Sequence, residues 1–283
     1  MTFAPAARAA LAFVLTASVL AACKKPPPST EALLQQLGSG DHSLSLSAAD
    51  QLLRRGHPKA TEYFQRLFVE GEGGIRQYSA RMLGERPDPS SVPLLVGALQ
   101  LSGVAAESLR FHLPQTQPAG EPPGLLLQNP VQKGDRDIEG LNEDILWSLA
   151  NFRRLDTLPY FVAALSSGSA SVRRAAGIGL VKLGGPIIPM LEREYHRAGN
   201  HSLHGPAALM EALGELKDPG AIPLLIEGLG DLDGWARRAA GEGLMKLGDL
   251  AEPKVREALQ SKDEIVREQA QDLLLHWKKG TKP

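Results

Sequence analysis

Apolar residues recur three and four positions apart in short runs from Glu31 onward, and glycine, aspartate, serine or proline separates one run from the next. This spacing places apolar side chains on one face of an α-helix, and the separating residues are those that favour turns. The pattern therefore predicts pairs of short helices. The predicted pairs are 31–37 with 44–55, 59–70 with 75–84, 89–100 with 103–113, 157–166 with 172–183, 186–197 with 206–216, 221–229 with 235–247, and 251–260 with 265–277, and a further helix is predicted over 141–152.

Two stretches of the chain match each other without a gap, LGERPDPSSVPLLVGAL at 83–99 and LGELKDPGAIPLLIEGL at 213–229. Such a match within one chain indicates an internal repeat. Prolines at the equivalent position are separated by 66, 30, 34 and 30 residues, at Pro93, Pro159, Pro189, Pro223 and Pro253. We interpret the wide first step as two periods of 33 residues. Asp88 and Asp218, each followed by proline, are predicted to cap the first helix of their units.

Residues 114–137 interrupt the repeat and end in the stretch EPPGLLLQNPVQKGDRD. Its prolines and glycines disfavour a helix, so the first helix expected near Leu126 is predicted to be replaced by an irregular insertion. Two interpretations of the apolar residues Leu125, Leu126 and Leu127 remain open. Either they bind a partner, or the insertion folds back and covers the face that the missing helix leaves exposed.

The second helix of several pairs carries an arginine, a small residue three positions later and a leucine seven positions later. The small residue allows a neighbouring helix to approach closely, and the leucine lies on the same face about two turns further on. The arginines are Arg76, Arg173, Arg237 and Arg267. The residue four positions before each arginine is predicted to cap the helix; these residues are Glu72, Ser169, Asp233 and Asp263.

These two signatures, DPxxxPxLxxxL in first helices and VRxxAxxxL in second helices, resemble HEAT repeats, and most closely the HEAT-like repeats of phycobilisome lyases. The resemblance covers about residues 59–277 apart from the insertion, and it implies an all-α fold, a right-handed α-solenoid of stacked HEAT-like helix pairs. We predict that this solenoid extends over residues 31–277. It also implies that the four arginines form a ladder, bound to carbonyls or carboxylates at the turns rather than to a ligand. Arg174 and Arg238 stand one position later, so we expect them to face outward and to contact a partner.

The N-terminus differs from the rest in composition. Arg8 precedes an apolar run over 9–22, which ends in Leu-Ala-Ala-Cys at Cys23. The run is shorter than the roughly 20 residues that a spanning helix needs, so residues 1–22 are predicted to be a secretory signal peptide. The ending resembles the lipobox of bacterial lipoproteins and implies lipid attachment at Cys23. An ordinary signal peptide followed by a chance cysteine is the alternative.

Cys23 is the only cysteine, so the chain cannot form an internal disulfide or a thiolate metal cluster. Residues 23–30 are predicted to be a lipidated, proline-rich tether, and 278–283 a polar tail. We expect the protein in the bacterial cell envelope, held at the outer membrane by its lipid and facing the periplasm. Without residues 1–22 the chain has 30 basic and 32 acidic side chains. This balance gives no basic surplus for nucleic acid.

No catalytic motif is evident in the sequence, and we predict neither an enzyme nor a cofactor. Glu194, His196, His201 and His204 lie near one turn, but their spacing matches no strong metal motif, and a polar turn is the simpler interpretation. The isolated histidines His42, His57, His112 and His276 indicate no chemistry. The glycines inside second helices are attributed to close helix packing rather than to a nucleotide site; these are Gly177, Gly179, Gly241 and Gly243.

The helical repeat, the predicted lipid anchor and the absence of a basic surplus together favour an interaction scaffold. We expect it to bind an unidentified protein partner, with second helices lining its concave face. Because fold does not fix activity, two alternatives remain open. One is an enzyme or accessory factor for cofactor attachment or protein modification, as the resemblance to phycobilisome lyases implies. The other is a purely structural envelope protein.

The lipid anchor gives a direct prediction. Replacing Cys23→Ser removes the sulfur that would receive the acyl chains, and each buried CH₂ of such a chain contributes about 0.8 kcal/mol to membrane binding. We expect the variant in the soluble envelope fraction or as unprocessed precursor, measured by fractionation and gel mobility. A variant that still enters the detergent phase with wild-type mobility would contradict the anchor.

Overall fold

The computed structural model describes residues 27–101, 136–198 and 205–278 of the 283-residue chain. These residues form α-helices and short 3₁₀ turns and contain no strand, which confirms the all-α prediction. The helices are α1 Thr30–Leu37, α2 His42–Arg54, α3 Pro58–Glu70, α4 Gly73–Glu85, α5 Val92–Ala98, α6 Arg136–Phe152, α7 Leu158–Ala164, α8 Ala170–Leu183, α9 Ile188–Ala198, α10 Gly205–Leu216, α11 Ile222–Gly228, α12 Gly234–Leu247, α13 Glu252–Ala258 and α14 Glu264–Lys278.

The chain divides between Ala60 and Thr61 into two compact units. In the first, α1 packs against α2, and the Ser29 hydroxyl caps α1 by accepting from the Ala32 amide at 3.2 Å. Arg55 donates to the Pro28 carbonyl at 2.8 Å and to the Thr30 hydroxyl at 3.3 Å. The last residues of the predicted tether are therefore bound to this unit.

First and second helices alternate along the second unit. We use "second-helix row" for α4, α6, α8, α10, α12 and α14, because each of these helices packs against the next one in this order. The remaining helices, α3, α5, α7, α9, α11 and α13, are the first helices. This arrangement is an α-solenoid, as predicted. Among the described residues no single helix is long and apolar enough to cross a membrane, although α8 and the segment Gly185–His196 pass that test together across a 107° bend.

Five of the six first helices begin later than predicted, whereas α3 begins at Pro58, one residue before its predicted start. A 3₁₀ turn precedes α5, α7, α9 and α11, and the α-helix starts only after it. Asp88 and Asp218 cap two of these turns, since their carboxylates accept from the Ser90 amide at 2.9 Å and the Gly220 amide at 2.8 Å. The first amide groups of a helix have no acceptor within the helix, and proline has no amide hydrogen. A short 3₁₀ turn followed by proline therefore leaves few amide donors without a partner.

Small residues set the distance between neighbouring second helices. A Cβ added to Gly84 of α4 would lie 2.6 Å from the Ser148 backbone of α6, and one added to Gly214 of α10 would lie 2.6 Å from Gly243 of α12. A Cβ at Gly179 would overlap the Phe161 ring. Close packing is thus confirmed for Gly179 and Gly243. For Gly177 it is wrong, because a Cβ there would meet no atom within 4 Å.

The row passes directly from α4 to α6, although residues 102–135 separate these helices in sequence. The Ser148 hydroxyl of α6 donates to the Ala80 carbonyl of α4 at 2.5 Å, and Arg81 pairs with Asp144 across the same contact. Asp144 is buried, and one of its carboxylate oxygens has no partner among the described residues. Burial raises the pKa of this carboxyl even though Arg81 favours its charged form.

This contact corrects the interpretation of the 66-residue step as two periods. One unit occupies the step, with α5 as its first helix and α6 as its second, and the remaining chain is an insertion between them. The Asn142 side chain of α6 accepts from the Gln100 amide at 2.9 Å and donates to the Gln100 carbonyl at 2.7 Å, so it binds the chain where the insertion leaves. Helix α6 also begins earlier than predicted, at Arg136.

Helix α6 therefore packs directly beside α4 in the second-helix row. Residues 103–113, and Leu125, Leu126 and Leu127, lie outside the described residues. So do Cys23 and the predicted signal peptide. Their predicted roles stay predictions.

Candidate binding groove

The arginine ladder is confirmed as a structural device. In α8, α12 and α14 the guanidinium donates to the carbonyls six and five residues earlier, in the preceding turn. The distances are 2.7 and 2.9 Å for Arg173, 2.6 and 3.1 Å for Arg237, and 2.8 and 3.0 Å for Arg267. Charged donors make such bonds stronger than neutral ones. Each arginine therefore ties a second helix to the turn before it.

Arg76 of α4 also binds backbone carbonyls, and it is buried, with only 1% of its surface exposed. Its Nε donates to the Phe68 carbonyl at 3.0 Å, and a terminal nitrogen donates to the Val69 carbonyl at 3.4 Å. Burial lowers the pKa of this guanidinium, and Glu72 partly opposes that effect. The ladder arginines are thus all engaged with backbone carbonyls.

The predicted helix caps are confirmed in two of four units. Asp233 accepts from the Trp235 amide at 3.0 Å, and Asp263 accepts from the Ile265 amide at 2.8 Å. For Glu72 and Ser169 the prediction is wrong, because neither side chain bonds the first turn of its helix. The Ser169 hydroxyl instead lies 3.2 Å from that of Ser171.

A groove of about 810 Å³ opens on the second-helix row between α8 and α10. We call it "the groove". From α8 and α10 it is lined by Ala170, Arg173, Arg174, Gly177, Ile178, Val181, Lys182, Ala207, Ala208, Glu211, Ala212 and Glu215, and Trp235 of α12 completes it. Its size is typical of sites that hold ligand groups.

The two arginines predicted to contact a partner have different surroundings. Arg174 is exposed and lines the groove. Arg238 is not one of the lining residues; its guanidinium lies 5.8 Å from the centre of the Trp235 ring and pairs with Glu242 at 2.8 Å. Arg238 therefore orients Trp235, which is itself 69% exposed. Partner binding by either arginine stays a prediction.

Sequence reasoning missed the apolar part of the groove. Gly177 leaves part of its volume open, because the space where a side chain would project contains no other atom. Ile178 beside it is partly exposed, as is Trp235. The only sequence signal was a second glycine two residues before Gly179, and nothing in the pattern distinguishes a glycine that packs from one that leaves space.

Most charges around the groove already have partners. The Lys182 ammonium lies 5.7 Å from the centre of the Trp147 ring and hydrogen-bonds Asn151. Glu215 accepts from Lys246 at 2.7 Å, and this bond lowers the pKa of Glu215.

Two charges of the groove remain available. Within the described ranges, Arg174 on α8 and Glu211 on α10 make no hydrogen bond or ion pair. The groove thus offers one positive and one negative side chain, one on each helix.

In the histidine cluster, His196 is paired with a carboxylate on another helix. His196 Nε2 lies 2.9 Å from both carboxylate oxygens of Glu227, and this bond raises the pKa of His196. The pair is therefore strongest at acidic pH and weakens as pH rises through that pKa; both partners are exposed, so it stabilises little. Glu194 lies in the same helix, while His201 and His204 lie outside the described residues. Within those ranges no three histidine, cysteine, aspartate or glutamate residues gather to hold a metal.

Comparison with known proteins supports the repeat assignment. The family model for HEAT repeats matches residues 205–274, which include α10 to α13 and most of α14. Residues 205–274 therefore match HEAT repeats, and the helices of this stretch are part of the α-solenoid of the second unit. No curated protein matches the chain.

Two solved structures are among those similar to the chain. One is the complex of CpcE and CpcF of phycocyanin lyase from Nostoc sp. PCC7120, with 18% identity, 91% of each chain covered and a TM-score of 0.40. The other is a designed armadillo repeat protein, with 16% identity, 86% of this chain and 97% of that chain covered, and a TM-score of 0.28.

We expect substitutions of a ladder arginine and of the arginine in the groove to have different effects on the free energy of unfolding. Arg237→Met removes two charged hydrogen bonds from a half-buried turn, so we expect the free energy of unfolding to fall by about 1–2 kcal/mol. Arg174→Met should change it by less than about 0.5 kcal/mol, as for most surface substitutions. Urea unfolding of both variants measures this difference. Equal losses, or a larger loss for Arg174→Met, would contradict the separation of structural and available arginines.

Proposed function

We propose that this protein is a lipid-anchored interaction scaffold that binds a protein partner through the groove on its second-helix row. The observation that carries the proposal is the contrast between engaged and available side chains. The ladder arginines, Lys182 and Glu215 are bound within the protein, whereas Arg174 and Glu211 are not. They stand beside the open space at Gly177 and the exposed Trp235.

The described geometry suits a binding role. Trp235 is oriented by the Arg238–Glu242 pair, so a partner that packs on its ring loses little freedom in ordering it. Exposed tryptophan in a groove is a frequent centre of binding energy in protein interfaces. The rigid row beneath holds both walls, since α8 packs against α10 and α10 against α12. The proposal assigns the chain no catalytic step.

The proposed location is the bacterial cell envelope, with the lipid on Cys23 in the outer membrane and the solenoid in the periplasm. The support is the sequence Leu-Ala-Ala-Cys at the end of a short apolar run. Lys24 and Lys25 follow directly and would lie near anionic headgroups. Because Pro28 and Thr30 are bound by Arg55, the tether would keep the folded units close to the membrane surface. Confinement there raises the effective concentration for a partner in the same compartment.

In-cell photo-crosslinking tests this function. A photo-reactive amino acid at Ala208, inside the groove, should yield a discrete adduct, and the same probe at Arg193, an exposed position on the first helix α9, should not. Gly177→Leu should abolish the Ala208 adduct, because the new side chain occupies the groove, whereas Gly177→Ala should preserve it.

Gly177→Ala leaves the packing unchanged, since a Cβ there meets no neighbour within 4 Å. Circular dichroism and thermal unfolding of both purified variants show whether Gly177→Leu is folded, so that loss of its adduct can be assigned to the filled groove. An adduct of equal yield with Gly177→Leu, or adducts only from the Arg193 probe, would refute binding through the groove.

A further inference from the structure

The two available charges in the groove define what it can bind. Arg174 belongs to α8 and Glu211 to α10, and both line one groove together with the apolar residues Ile178 and Trp235. We infer that the groove receives an amphipathic segment of a protein partner, in which an apolar side chain enters the space beside Gly177 while an acidic residue pairs with Arg174 and a basic residue pairs with Glu211. This inference rests on the proposed function and specifies its partner.

The charge pattern separates a peptide segment from the common anionic ligands. Of the charged lining residues, Arg173, Lys182 and Glu215 already have partners, so the groove presents one free cation and one free anion among its described residues. A phosphate group, an acidic headgroup or a nucleic-acid backbone would gain one contact with Arg174 and meet Glu211 as a like charge. A protein segment can supply both opposite charges, and complementary pairs of this kind fix orientation as well as affinity.

The apolar residues explain why the segment needs a hydrophobic anchor. The lining between the two charges consists mainly of glycine, alanine, isoleucine and valine, with the Trp235 ring at the α12 side. The glycine, alanine, isoleucine and valine residues have no side-chain hydrogen-bonding group, so the favourable contact that they offer a ligand is burial of an apolar side chain. The volume of about 810 Å³ is large enough to admit several side chains of such a segment.

Selection from a phage-displayed library of random peptides, about 12 residues long, against the detergent-solubilised protein tests the inference. Enriched peptides should share an apolar residue flanked by an acidic and a basic residue. Their Kd should rise about 10-fold or more for Gly177→Leu and stay unchanged for Gly177→Ala. Arg174→Glu should weaken binding about 10-fold, and changing the acidic peptide residue to lysine should restore it. Arg193→Glu, the same charge reversal outside the groove, should have no effect.

The inference is overturned if no peptide is enriched, if enriched peptides bind Gly177→Leu normally, or if Arg174→Glu leaves their charge preference unchanged. Its failure is distinguishable from failure of the proposed function. A groove-dependent adduct in cells without charge-dependent peptide binding refutes the inference alone, and absence of that adduct refutes the function on which it rests.

Discussion

Neighbouring second helices lie so close that a single methyl group would not fit between several of their backbones. Gly84 against Ser148, and Gly214 against Gly243, are the points where this limit is reached. Close approach brings many atoms into dispersion contact and buries the apolar faces of both helices. Within the second unit each helix pair buries its apolar face against the next pair, so the second-helix row couples the stability of one repeat to that of its neighbours.

The arginine ladder determines the orientation of the second helices in this packing. By binding two carbonyls of the preceding turn, Arg173, Arg237 and Arg267 fix how each second helix is rotated relative to its own first helix. The residue after the ladder arginine must then face away from the turn, and in α8 that residue is Arg174. The groove follows from the same geometry, because Gly177 lies three positions after Arg174 on a helix and therefore near it on the surface.

The structural features that recur within each repeat could be predicted from the sequence. The helix pairs, the ladder arginines and the caps at Asp233 and Asp263 follow from patterns within one unit. The insertion could not be interpreted in this way, because a step of 66 residues is equally compatible with two units and with one unit plus extra chain. Only the contact between α4 and α6, across a long sequence separation, distinguishes them. Likewise Gly177 and Gly179 have identical local sequence signals, and one faces open space while the other meets the Phe161 ring. The backbone also turns left-handed at Arg153 and Lys217, where equivalent units have Gly184 and Gly248, and no propensity predicts this for basic residues.

A continuous second-helix row is the central claim, and removal of the insertion tests it most directly. Asn142 bonds Gln100, and the six helical residues back to Arg136 span about 9 Å, so a Gly/Ser linker of about 8 residues can replace residues 103–134. Thermal unfolding followed by circular dichroism is the measurement. The account predicts one cooperative transition with a Tm close to that of the full chain, because α4 and α6 remain packed. Two separate transitions, or a Tm lower by more than about 10 °C, would show that the row depends on the inserted residues and would contradict it.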